Sequence, residues 1–170
     1  MKSLMIKGFE ITELAEFVRS RLGDRGKEVF AEAGIPAEPD KNKRYPLESL
    51  TPIMDAFGGQ GAIYKEFGKY TARMVATTIK ILSLVSNLPV YLIRNANLVW
   101  GYYFSQRKWE VTQRGERALI ANLLDANMPG FWAEKVAGWI EGSFSLGGFE
   151  RTRVEILHES PERITFKVSW

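Results

Sequence analysis

Trp109-Glu110-Val111-Thr112-Gln113-Arg114-Gly115-Glu116-Arg117-Ala118-Leu119-Ile120-Ala121-Asn122-Leu123 is the stretch that decides the fold. Trp109, Val111 and Gln113 alternate with Glu110 and Thr112, the period of a strand with one face covered. Arg114-Gly115 reads as a turn, and a second strand follows in which Ala118, Ile120 and Asn122 alternate with Leu119, Ala121 and Leu123. That strand is apolar on both sides, which predicts a central place in a sheet. Beyond it, Met128-Pro129-Gly130 opens a helix with Phe131, Trp132, Val136, Trp139, Ile140 and Phe144 on its apolar side, and Gly147-Gly148 ends it. Val154 and Ile156 belong to a third strand, Glu159 to Glu162 make a turn, and Ile164, Phe166, Val168 and Trp170 line a fourth. From Trp100 onward the order is hairpin, helix, hairpin.

The chain before this segment reads as helices. Thr12 is a candidate N-cap for a helix to Leu22, with Leu14, Phe17, Val18 and Leu22 on one face and Gly23 as its stop. A short helix behind Asp24 turns Val29, Phe30 and Ala33 inward, and Glu38 to Tyr45 reads as a polar, mobile loop. A third helix begins near Ser49 with Pro52 in its first turn, where a missing N–H matters little, and Gly58-Gly59 stops it. After Gly61, Ile63, Tyr64, Phe67, Tyr70, Thr71, Met74 and Val75 recur at helical spacing. Ile79 to Val85 wraps most of a helix circumference, and Asn87-Leu88-Pro89 restarts the chain as a helix carrying Tyr91, Leu92, Ile93 and Leu98. The expected class is α+β: an N-terminal helical layer packed on a four-stranded antiparallel sheet, with one helix between two hairpins and residues 1–170 forming one domain.

Composition narrows the chemistry. With 170 residues, 45% hydrophobic and 25% charged, the chain is long enough to bury a core unaided. It has no cysteine, so thiolate metal sites and disulfides are excluded, and its one histidine, His158, rules out a two-histidine site within one chain. The net charge of +3 is too small and too scattered for a nucleic-acid footprint. Met1 to Gly8 is too short and too charged for a secretory leader, and Lys80, Ser83, Asn87 and Pro89 interrupt the longest apolar run, Ile79 to Ile93. The expectation is a soluble cytoplasmic protein.

Catalytic groupings are not written in the sequence. A nucleophile needs a base and an orienting partner beside it, and the lone His158 on a strand end supplies neither. Two carboxylate pairs, Glu110 with Glu116 across the hairpin and Glu159 with Glu162 at the turn, are expected at solvated ends. Gly58-Gly59-Gln60-Gly61 has no following Lys-Ser/Thr and reads as a helix stop and turn. What stands out is apolar bulk. Phe67, Tyr70, Met74, Leu82, Tyr91 and Trp100 from the middle helices, with Trp132, Val136 and Trp139 from the late helix, are either an ordinary core or the lining of a pocket between helices and sheet. In the second case Tyr91, Asn95 or Tyr103 would supply its few polar groups.

Several of these segments together resemble heme nitric-oxide/oxygen-binding domains. Met5-Ile6-Lys7-Gly8, Arg21-Leu22-Gly23-Asp24, Ala33-Gly34-Ile35, Tyr45-Pro46-Leu47-Glu48 and Phe67-Gly68-Lys69 carry the likeness in the first half. Phe131-Trp132 and Gly138-Trp139-Ile140-Glu141-Gly142 carry it in the second. The wider superfamily includes 4-vinyl-reductase-type ligand-binding domains and Bet3-like tethering subunits, and the chain is most similar to a heme-free bacterial branch. The resemblance implies a pocket at the helix–sheet interface. The heme-binding members hold iron with a histidine on the helix before the hairpin, and Leu88 to Val99 contains none, although Tyr91 lies near that place. Tyr103-Phe104-Ser105-Gln106-Arg107 matches the family's Tyr-x-Ser-x-Arg motif for porphyrin carboxylates but precedes the hairpin instead of following it, leaving Arg107 as a candidate contact for an anionic ligand group. The resulting expectation is a non-enzymatic, heme-free sensor with no metal or cofactor. It would bind a hydrophobic small molecule and signal through a separate partner protein. The alternatives are a tethering-like homodimer formed through Ile79 to Val85, and a heme protein ligated by Tyr91.

Overall fold

The computed structural model describes residues 4–36, 38–74, 76, 91, 95, 97, 108–126, 128 and 130–170, with 112–114 in backbone only. Strand β1 (Met5–Lys7) leads into helix α1 (Gly8–Leu22), followed by α2 (Arg25–Glu32), β2 (Arg44–Pro46), a 3₁₀ turn (Leu47–Leu50), α3 (Thr51–Asp55) and α4 (Gly61–Met74). The second half holds β3 (Lys108–Arg114), β4 (Ala118–Leu124), α5 (Phe131–Leu146), β5 (Arg153–Glu159) and β6 (Arg163–Ser169). The last four strands form one antiparallel sheet in the order β3-β4-β6-β5, so the strand that is apolar on both sides, β4, is central as expected. The class is α+β.

Two expectations at the N-terminal end need correction. Helix α1 starts at Gly8, one turn before Thr12, whose hydroxyl donates back to the Gly8 carbonyl at 3.0 Å instead of capping. The end of the polar loop is also ordered: Arg44–Pro46 pairs antiparallel with Met5–Lys7. The Gly8 N–H then donates to the Lys43 carbonyl at 2.8 Å, so the ladder passes directly into the helix. Gly8 is required there, because a Cβ would lie 1.9 Å from the Asp40 carbonyl oxygen.

Helices α4 and α5 make the most extensive helix contact among the described residues. A Cβ on Gly68 would lie 2.0 Å from the Lys135 carbonyl oxygen, and one on Gly138 would lie 1.9 Å from that of Lys65. The two backbones therefore touch, which only side-chain-free positions permit. The core on either side of this crossing includes Ile11, Leu14, Ile53, Met54, Phe67, Leu123, Trp132 and Phe166, all essentially inaccessible to solvent. Rings interlock through it: Phe17 stands 5.2 Å from Phe67, and Trp109 stands 5.6 Å from Phe166.

Each free edge of the sheet is closed by side chains at one peptide. On β3, Asn97 accepts from the Trp109 N–H at 2.6 Å and donates to the Trp109 carbonyl at 3.2 Å. On β5, Glu141 accepts from the Val154 N–H at 2.9 Å while Lys65 donates to the Val154 carbonyl at 3.3 Å. An open strand edge is a template for unwanted pairing, and these side chains occupy it.

Candidate functional site

Helix α1 places Glu10, Glu13 and Glu16 at three-residue intervals, on one side of the helix. Glu10 and Glu13 are 5% and 4% exposed, values that carboxylates reach only when paired or protonated. Across from them α5 supplies Lys135, itself buried, whose Nζ lies 2.8 Å from Glu10 Oε2. The same ammonium lies 4.9 Å from the Trp132 ring centre and 5.6 Å from that of Phe67. Aromatic faces and one carboxylate thus surround the cation, compensating for its lost hydration.

Glu13 is compensated only in part. Its Oε2 is buried with no hydrogen-bond partner among the described residues. Burial first, and then the neighbouring Glu16 and Glu10, push its pKa up to about 7, against the opposing pull of Lys41 and Lys135. Near neutral pH this carboxyl is therefore shared between its acid and its carboxylate form. Helix α4 contributes Tyr70, whose hydroxyl donates to Glu16 Oε2 at 3.1 Å. Burial and that hydrogen bond raise the phenol's own pKa. The arrangement can hold a proton, or accept from a donor or cation brought into it. Among the described residues no group of His, Cys, Asp or Glu is arranged to hold a metal ion.

Three of the expected pocket residues, Phe67, Tyr70 and Trp132, meet at this acidic cluster. Val136 is buried in the same core. Trp139 is half-buried, and Met74, the last residue of α4, is 47% exposed. Tyr91 and Asn95 are helical and partly buried, and the Asn95 amide donates to the Tyr91 carbonyl at 2.9 Å. Leu82, Trp100, Tyr103 and Arg107 lie outside the described residues, as does the Ile79 to Val85 surface. Pattern reading missed Glu10, Glu13 and Lys135 because charged residues count as solvated by default. The available signal was their position: Glu10 and Glu13 adjoin Ile11 and Leu14, and Lys135 lies three residues after Trp132 and four before Trp139, at helical spacing with both.

The expected carboxylate pairs also change. Register puts Glu110 opposite Asn122, not Glu116, and Glu110 instead pairs with Lys108 at 2.6 Å. At the other turn, desolvation and Glu134 raise the pKa of Glu159, whereas hydrogen bonding from Ser160 lowers that of Glu162.

His158 decides whether a histidine-ligated heme fits. It lies on β5, an edge strand, pairs through its backbone with Thr165, and has an exposed side chain. An axial imidazole needs an enclosed position over the iron, and this one faces solvent. The chain has no other histidine, so its residues do not fit a heme held in that way.

No protein-family model matches the chain, and neither does any curated protein. Solved structures do. The Fe(II) unliganded H-NOX protein from K. algicida matches with a TM-score of 0.71 at 11% identity, over 96% of each chain. An Fe(II) H-NOX variant from S. oneidensis matches at 0.68 and 14% identity, over 96% of this chain and 95% of that one. An oxygen-binding H-NOX domain related to soluble guanylate cyclases matches at 0.61 and 13% identity, over 96% and 94%. At these identities the likeness is one of architecture, and it runs nearly end to end: the chain has an H-NOX-like fold.

Proposed function

We propose that the chain is a sensor-type domain that encloses a hydrophobic small molecule between its helices and its sheet, without heme and without catalysing a reaction. The observation that carries this reading is the pairing of an H-NOX-like fold with a lone histidine exposed on an edge strand. A ligand-holding architecture is kept, and the histidine that would hold iron in it is not. The lining proposed for it is Phe67, Tyr70 and Trp132 with Tyr91, Asn95, Val136 and Trp139; Leu82, Trp100, Tyr103 and Arg107 are assigned to it from the sequence alone, and Met74, at 47% exposure, is left out. The buried Glu13, its pKa raised to about 7, gives that lining its polar character.

The mechanism is a shift of populations. A ligand that prefers one packing of the helices on the sheet raises the share of that packing, by no more than its difference in affinity for the two states. A separate partner protein reads the result. Native mass spectrometry of the purified protein, followed by organic extraction, tests the reading. A reproducible mass excess that extracts as a small apolar compound supports it, and a protein that is always empty and takes up no apolar probe overturns it.

A further inference from the structure

On the far side of the glycine crossing from Lys135, an open cleft of about 480 Å³ is lined by Lys65, Glu141, Arg153, Glu155, Lys167 and the Val154 backbone. Its charges are unbalanced. Glu141 is fully engaged: Oε1 takes Lys65 at 2.8 Å and the Val154 N–H, and Oε2 takes Lys69 at 2.9 Å. One carboxylate thus faces two lysines. Lys167 reaches Glu155 only at 3.7 Å, with both side chains half or more exposed. The Arg153 guanidinium makes no hydrogen bond or ion pair among the described residues. The lining thus sets three cations, Lys65, Arg153 and Lys167, against two carboxylates, Glu141 and Glu155, and Lys69, bound to Glu141 beside it, adds a fourth positive charge.

We propose that this cleft is the docking site for an acidic, extended segment of a partner protein. A single small anion needs several donors converging on one point, and only Arg153 is uncommitted. An acidic chain instead collects weak attractions from cations spread along a groove, which is how charge complementarity guides association. The two interspersed carboxylates disfavour a nucleic-acid backbone. The segment engages through side chains and not by adding a strand at this point, because Glu141 and Lys65 already occupy the Val154 peptide on the β5 edge. The cleft also spans α4, α5 and the β5–β6 hairpin, so an occupant would register how the helices sit on the sheet.

The test is titration of the intact protein with a glutamate-rich peptide at low salt, read by calorimetry and by backbone amide shifts. Saturable binding is expected, with shifts centred on Arg153 to Glu155 and Lys167 and affinity falling about tenfold as ionic strength rises from about 0.01 M to about 0.15 M, where the Debye length shrinks from about 30 to about 8 Å. The exposed double substitution Arg153→Glu/Lys167→Glu should weaken it at least tenfold with unchanged circular dichroism. Glu155→Gln, which removes a competing carboxylate, should tighten it severalfold. The proposal is overturned by absence of saturable binding, by equal affinity in the double variant, or by equal or tighter binding of inorganic phosphate or duplex DNA. None of these readouts depends on an apolar ligand, so they succeed or fail independently of the sensor reading.

Discussion

Lys135 and Glu141 share helix α5 and stand at opposite ends of one kind of chemistry. Around Lys135, carboxyls are in surplus and water is excluded, and Glu13 is driven up to about 7. Around Glu141, burial also works to raise the pKa, yet Lys65, Lys69 and the Val154 N–H outweigh it and hold the group below the usual carboxylate range. Burial alone does not set the direction. Burial is the leading cause at both groups, and the direction is decided by whether hydrogen-bond donors outweigh it, as Lys65, Lys69 and the Val154 N–H do at Glu141 and the charges of Lys41 and Lys135 do not at Glu13.

Removing the interior cation is the harshest way to break this comparison. Lys135→Met leaves Glu10 buried without its partner and is expected to cost about 3–5 kcal/mol in denaturant unfolding at neutral pH. Adding Glu10→Gln should recover a large part of it. A loss under about 1 kcal/mol would mean that the pair is solvated. The crossing between the regions comes next. Gly138→Ala drives a methyl into the Lys65 backbone and should cost about 1–3 kcal/mol. Gly61→Ala, whose nearest new neighbour is the Glu134 side chain at 3.5 Å, should stay within about 0.5 kcal/mol of the parent.

The pH response sharpens the contrast. Glu13 holds its proton to about 7 when folded, while in the unfolded chain it ionises near the ordinary glutamate value of 4.5. Stability should therefore fall as pH rises from about 4.5 to about 7, then level off, and Glu13→Gln should flatten that descent. A profile unchanged by Glu13→Gln would show that the carboxyl is not desolvated. Glu141 behaves oppositely: its lowered pKa gives stability that is present above the ordinary carboxylate range and lost as pH falls through its folded value. Glu141→Gln should remove only about 1 kcal/mol at neutral pH, since both lysines keep access to water. Melting curves across pH measure both effects.

Strand and helix order was legible because strands of two-residue period and helices of three-to-four-residue period leave different apolar marks. β4, apolar on both sides, and the stripe Tyr64-Phe67-Thr71 are examples. The β1–β2 ladder left no such mark, since three residues on each side are tied by backbone hydrogen bonds that carry no side-chain signature. The site was legible in its aromatics and not in its charges. Phe67 and Trp132 follow from helical spacing, but whether Glu10 and Glu13 face water depends on where α5 brings Lys135, a contact spanning most of the chain.

The separation of this fold from histidine-held iron is tested most directly by adding heme to the purified protein, desalting, and recording the absorption spectrum. Because His158 points to solvent from an edge strand, no Soret band is expected to survive desalting. A stable band in one-to-one proportion with the protein would contradict the heme-free reading.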